Sequence, residues 1–139
     1  MLSVFNERGY IVKETGAVYY SQNLDKTLRW FNEVLGWYGQ IEVRDENNHG
    51  TYGCLCNIPM DIQMFRISPF TGIHLYKGEA QKSIVGFMLV QGIENLYTFV
   101  KKNGWNHVTE IVSEPWGGKT CEVVTIDGSI LKFFEPIPA

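Results

Sequence analysis

The sequence predicts an α+β fold of two βαβββ modules that together form a cleft or half-open barrel. Three observations carry this reading. The first is an internal repeat. Ala17 to Trp37, AVYYSQNLDKTLRWFNEVLGW, and Val85 to Trp105, VGFMLVQGIENLYTFVKKNGW, both read as strand, short connection, helix and Gly-Trp. At one constant offset Leu28 falls on Leu96, Phe31 on Phe99, Gly36 on Gly104 and Trp37 on Trp105. At an offset shorter by one, Gly50 meets Gly117 and Cys54 meets Cys121. Two copies are too few for a solenoid, so the unit is read as duplicated to close one shared core. The second observation is a series of strand-length apolar runs bounded by turn residues. The third is bulk composition. A chain of 139 residues, 45% hydrophobic and 19% charged, suits a single compact domain.

Residues 1–16 stand outside the repeat. Val4-Phe5 and Tyr10-Ile11-Val12 flank the turn-like cluster Asn6-Glu7-Arg8-Gly9, which predicts a short hairpin or an extended arm. Such an arm could cover a sheet edge or contact a second copy in a homodimer. The first module covers 17–66. Ala17 to Ser21 is its first strand. Asn23 is placed to cap the following helix, with Asp25 near the positive helix end. Leu24, Leu28, Phe31 and Leu35 form one apolar stripe, and Gly36 ends the helix in a left-handed conformation. Trp37 to Val43, Thr51 to Cys56 and Asp61 to Arg66 are the three returning strands, split by RDENNHG and by the Asn57-Ile58-Pro59 turn. Ile67 to Lys82, with Pro69, two glycines and several charges, reads as the linker between modules. The second module covers 83–136. It has a strand Ile84 to Val90, a helix with the apolar face Ile93, Leu96, Tyr97 and Val100, and strands His107 to Val112, Lys119 to Ile126 and Ile130 to Phe134. Helices are expected at 24–35 and 93–103, with pseudo-twofold symmetry and no parallel strands.

Several function classes are disfavoured. The net charge is -3, and no run of Lys or Arg is long enough to track a phosphate backbone, so no nucleic-acid partner is expected. The longest apolar run, Ile84 to Val90, is of strand length, so no membrane partner is expected either. MLSVFNERG has no basic region followed by an apolar core. With three cysteines and no export signal, a cytoplasmic location is expected. Neither a G-x-G-x-x-G nor a Walker A loop occurs, so a nucleotide cofactor lacks support.

SQNLDKTLRWFNEVLGW in the first module and PWGGKTCEVVTIDGSILKFFEP in the second resemble the vicinal oxygen chelate superfamily of glyoxalase I, bleomycin-resistance and extradiol dioxygenase proteins. The strongest local match runs from Asp127-Gly128-Ser129 to Glu135-Pro136. The resemblance implies a His/Glu metal site on the cleft-facing strands. Its positions align here with about Gly16, with about Val85, with Lys132, and with Gln63 or Met64. Gly16 and Val85 have no donor atom and Lys132 is a cation, so no metal and no cofactor are expected.

Other metal readings are weak. His49, His74 and His107 lie in the turn, the linker and the sixth strand, and no pair has ligand spacing on one element. Cys54 and Cys56 share a strand face about 7 Å apart, beyond disulfide reach; they are read as core-facing, and Cys121 as the repeat-equivalent of Cys54. The expected ligand-binding residues are Trp116, Lys132, Tyr19, Phe65, Phe87, Trp37 and Trp105, with Phe134 on a cleft-forming strand. Tyr19 and Tyr20 alternate faces, so one of them should point into the cleft. Lys132 is the one candidate for acid–base chemistry. The expected function is a metal-free cleft that binds a small aromatic or planar molecule. The alternative is a lyase, isomerase or dioxygenase-type enzyme working through Lys132 or through displaced metal ligands.

Overall fold

The cap at Asn23 starts the first helix. Its backbone is extended, and its Oδ1 accepts the Lys26 N–H at 3.1 Å, which satisfies one of the orphan donors of the first turn. Helix α1, Leu24–Trp30, runs on as one π-helical turn, Phe31–Leu35. Gly36 then takes a left-handed φ of 73°, and its N–H and that of Trp37 return to the carbonyls of Asn32 and Phe31, both at 3.1 Å. Helix α2, Ile93–Lys102, buries Ile93 and Val100. Its start is capped from a distance. The Glu135 carboxylate accepts the N–H groups of Gly92 and Ile93 at 2.8 and 3.0 Å, and those two bonds hold that carboxyl below the usual range. The structure, a computed structural model, describes residues 7–10, 16–57, 59 and 72–137. Among the described residues no helix is long and apolar enough to cross a membrane.

The strands form two sheets of the same order. The first contains β1 (Ala17–Ser21), β2 (Tyr38–Arg44), β3 (Gly50–Cys56) and β4 (Gly72–Lys77), ordered β1-β4-β3-β2. The second contains β5 (Ile84–Leu89), β6 (Val112–Glu114), β7 (Gly118–Val124) and β8 (Ile130–Glu135), ordered β5-β8-β7-β6. Three expectations are corrected. GIHLYK, assigned to the linker, is the central strand β4. Residues 57–71 connect β3 to β4, whereas 125–129 suffice between β7 and β8, so the repeat loses its register there. The strand expected at Asp61 to Arg66 and most of the N-terminal arm lie outside the described residues. Parallel pairs do occur, β1 with β4 and β5 with β8. Each helix carries the chain back so that the next strand starts in the direction of the first. Two antiparallel turns later the fourth strand shares that direction and can lie beside it. The sixth strand is later than expected, with only a lone bridge between Val108 and Val123 before it.

The helices cover one side of both sheets, over Leu55, Leu75, Leu131 and Phe133. At the seam between modules Trp30 meets Trp105 edge-on at 5.2 Å, and Asn103 donates to the Val34 carbonyl at 3.1 Å. A polar cluster crosses the same seam. The Asp127 carboxylate, in the β7–β8 turn, accepts from Tyr19 at 2.6 Å, Thr27 at 2.8 Å and Ser21 at 3.1 Å. Tyr19 also pairs with the Thr125 hydroxyl at 2.7 Å. The Lys82 ammonium donates to the Asp127 carbonyl.

Asp127→Ala should therefore destabilise the chain by about 2–4 kcal/mol in urea unfolding, because it removes charge-assisted bonds from hydroxyls that stay buried. Asp127→Asn, which keeps one acceptor, should lose less. A loss under about 0.5 kcal/mol for the Ala variant would show that the modules are joined elsewhere. Burial first, and the Asp127 carboxylate second, push the Tyr19 hydroxyl far above its ordinary value. The folded state thus prefers neutral Tyr19, while the unfolded chain ionises near its ordinary value of about 10. This contribution is complete below pH ~10 and is lost as pH rises above it. Unfolding midpoints measured from pH 8 to 11 should fall at the alkaline end, and Tyr19→Phe should flatten that fall.

Candidate functional site

The pleat sends alternate side chains to opposite faces. Tyr19, Leu55, Leu75, Leu131 and Phe133 go to the helices, which leaves the other face of each sheet open. On the second sheet the register sets Lys132 between Phe87 and Glu122, and Phe134 between Leu89 and Thr120. Trp116, in the turn between β6 and β7, leans on Phe134 with ring centroids 4.8 Å apart. Phe134 in turn lies 5.9 Å from Phe87. Gly118 permits this arrangement, since a Cβ there would collide with the Phe134 ring and the backbone φ of 136° disfavours any side chain. Phe87 and Trp116 are each 60% exposed. The Lys132 ammonium sits 3.6 Å from the Glu122 carboxylate, with the two side chains 29% and 31% exposed. A pair this exposed adds little stability.

The open face of the first sheet is different in chemistry. One row across it contains Val18, His74, Cys54 and Gln40, and the next contains Tyr20, Tyr76 and Tyr52. The rings run in series: Tyr20 to Tyr76 at 6.1 Å, Tyr76 to Tyr52 at 5.0 Å, Tyr52 to His74 at 6.1 Å. The Tyr52 hydroxyl is 2.8 Å from Nδ1 of His74. The Cys54 thiol donates to Glu42 at 3.4 Å, and burial, then that carboxylate, push it up to about 11. It is a thiol, not a nucleophilic thiolate. His74 and Lys132 are counterparts, since β4 and β8 close their modules and both residues oppose the open-face residues of β1 or β5 and of β3 or β7.

The structure places Trp116, Lys132, Phe87 and Phe134 near one another on the second sheet. It moves three others. Tyr19 is 1% exposed with its hydroxyl committed to Asp127 and Thr125, and Tyr20 is the tyrosine that reaches the open face. Trp37 packs on Phe31 at 5.6 Å, and Trp105 packs on Trp30 with its N–H donated to the Val124 carbonyl. Both tryptophans follow helix ends; Trp37 is in the core and Trp105 packs half-buried against it. Phe65, Gln63 and Met64 lie outside the described residues. With β4 at 72–77, the position that matches Lys132 is His74 instead of Gln63 or Met64. Cys54 faces the open side, and its counterpart is Glu122, because Cys54 opposes His74 as Glu122 opposes Lys132; Cys121 points to the helices. The sequence reading also missed Tyr52, Tyr76 and Glu122. Strict alternation in Gly72–Lys77 was the signal that could have found the first sheet's site.

The residues at the superfamily's metal positions do not fit a metal. Gly16 offers no donor, and Val85 sits at a β-bulge of β5 with an aliphatic side chain. Lys132 places an ammonium where a carboxylate would be needed. His74 alone presents an imidazole. Among the described residues no group of three His, Cys, Asp or Glu side chains could hold an ion. A depression of about 450 Å³ lies elsewhere, at the start of α1 between Lys26, Arg29, His49 and Lys77. Its lining residues are mainly charged and polar and include none of the Trp, Tyr or Phe side chains.

Comparison with known proteins agrees with this architecture. A family model described as the bleomycin resistance protein domain matches residues 16–78. No curated protein matches the chain. A glyoxalase-related enzyme from Clostridium phytofermentans is 46% identical, over 94% of this chain and 99% of its own, with a TM-score of 0.88. A bleomycin resistance determinant encoded on the transposon Tn5 superposes with a TM-score of 0.65 at 15% identity, over 91% of this chain and 100% of its own. A bleomycin-binding protein solved with bleomycin gives 0.64 at 14% identity over the same shares. With two modules of matching strand order and a close relative along nearly its whole length, the chain belongs to the vicinal oxygen chelate superfamily, the glyoxalase, bleomycin resistance and dioxygenase group.

Proposed function

We propose that the protein binds a small aromatic or planar molecule on its open aromatic face without a metal. The observation that carries this is the exposed stack of Trp116, Phe134 and Phe87 beside the Lys132–Glu122 pair. An indole left in water on a glycine-flanked turn gains by covering a flat ligand. The bleomycin complex of a fold relative supports small-molecule capture as a use of this architecture. Lys132 orients ligand oxygens, and Glu122 moderates its charge. We extend the proposal to a homodimer in the cytoplasm. A second copy would shield the exposed Val43 and Val112, and an odd cysteine count suits a reducing compartment.

Titration of planar anions and cations, followed by Trp emission, tests the site. Trp116→Ala should weaken binding by on the order of 1 kcal/mol or more. Lys132→Ala should weaken anions and spare cations. Equal affinities in all three proteins would place both residues outside the site. Sedimentation of the same samples reads the dimer, and a monomer throughout would remove that part.

A second reading is an enzyme of the lyase, isomerase or dioxygenase kind. It is favoured by the relative at 46% identity, which is described as a glyoxalase-related enzyme. On this chain Lys132 and His74 would be its proton-transfer groups. The metal-free proposal expects no hemithioacetal turnover on adding nickel or zinc, since Gly16, Val85 and Lys132 supply no ligand. Metal-stimulated turnover would refute it, whereas metal-independent turnover lost in Lys132→Ala would select the enzyme reading.

A further inference from the structure

We propose that the depression at the start of α1 is an anion site for a small phosphorylated molecule, held by Lys26, Arg29 and Lys77. It shares no residue with the aromatic face, and neither reading depends on the other. Three segments meet here: the β1–α1 turn at Gln22 and Asn23, the β2–β3 turn at His49, and the end of β4 at Lys77. Lys26 and Arg29 are three residues apart on α1 and so share one helix face. Lys77 joins them through the register of β4, which sets it beside Ser21 at the end of β1.

Arg44 holds two of these segments together. Its guanidinium donates to both oxygens of Asp25, at 2.9 and 3.1 Å, and to the Asn48 carbonyl at 3.0 Å. The β2–β3 turn is thereby tied to α1, so that side of the depression is set before a ligand arrives.

The ligand class follows from charge. Asp25 is the one carboxylate of the lining, and its charge is met by Arg44, whose hydrogen bonds hold that carboxyl below the usual range. Asp45 stands nearby and feels His49 and Lys77, but it accepts two N–H bonds within its own turn, from Asn47 and His49, both at 2.9 Å. Among the described residues the side chains of Lys26, Arg29 and Lys77 make no ion pair or hydrogen bond. In a chain of net charge -3, three unpaired cations around one depression are a local surplus of positive charge. Lys supplies compact charge and Arg a planar fork, and both suit phosphate oxygens. A volume of about 450 Å³ is in the range of small-molecule sites and larger than one phosphate group requires.

The second module supplies an independent comparison. Lys77 ends β4 as Glu135 ends β8. Glu135 gives its carboxylate to the N–H groups of Gly92 and Ile93, so that module carries its own anion at the matching place. The first module has a cation there instead, and a depression beside it.

The test is calorimetric titration with pyrophosphate and with inorganic phosphate at one fixed ionic strength. Pyrophosphate should bind the parent one-to-one and about tenfold tighter than phosphate, the order of one or two further exposed ion pairs. Lys26→Gln, Arg29→Gln and Lys77→Gln should each weaken pyrophosphate about threefold, and the triple variant about thirtyfold, as separate exposed pairs would. Lys102→Gln, at the end of α2, and Trp116→Ala should bind pyrophosphate as the parent does. No binding to the parent, equal affinity for the two probes, or a triple variant that binds as the parent does would overturn the inference. So would an equal loss in Lys102→Gln, which would mean general attraction to positive charge. Each of these results leaves the aromatic site standing, since that site is read with planar ligands and Trp emission.

Discussion

The carboxylate of Asp127 is the contact on which the architecture turns. It lies in the short β7–β8 turn of one module and collects three hydroxyls from β1 and α1 of the other. A tyrosine in the middle of an apolar core needs a partner for its hydroxyl, and an ionised carboxylate is the strongest acceptor available there. The hydroxyls in turn replace the water that Asp127 gives up. Apolar packing, through Trp30 against Trp105, brings the modules together without specifying register. The hydrogen bonds have direction, and so they fix β1 and α1 of one module against the β7–β8 turn of the other.

Duplication then gives the two halves matching frames with different chemistry. Each frame places one residue of its last strand at the centre of an open face. In the second module it is Lys132 with Glu122; in the first it is His74 with Tyr52 and Cys54. The backbone ladders do not depend on which side chains stand on the open face, so these positions are free to diverge while the helix-facing positions keep their apolar character. Gly16 illustrates the divergence: it has no side chain, and the His74 ring lies beside it.

The open faces also explain how aromatic side chains divide. Rings that follow a helix end, Trp37 and Trp105, are drawn under the helices, where Phe31 and Trp30 cover them. Rings on strands divide by parity, so Tyr19 is core and Tyr20 is surface. Trp116 obeys neither rule because it sits in a turn. Its position depends on Gly118, which lets Phe134 approach the backbone.

Much of the fold was legible in the chain itself. The matched Leu, Phe and Gly-Trp positions, the Asn23 cap and the left-handed Gly36 and Gly104 are local chemistry, decided within a few residues, and each predicted its element. The duplicated architecture followed from the repeat, and Trp116, Phe87 and Lys132 followed from strand and turn assignments that held. What sequence could not decide is what depends on register between distant segments. The longer connection before β4 hid a strand in an apparent linker, and with it His74 and Tyr76. Tyr52 gained a role only when β4 came to lie beside β3. The parallel pairs, the Asp127 seam and the pairing of Glu122 with Lys132 likewise join residues whose separation along the chain gives no periodic signal. Local preference determined the parts and the duplication. Only the tertiary structure decided which side of each strand would be covered by a helix, because burial is settled by what packs against a face and not by the strand alone.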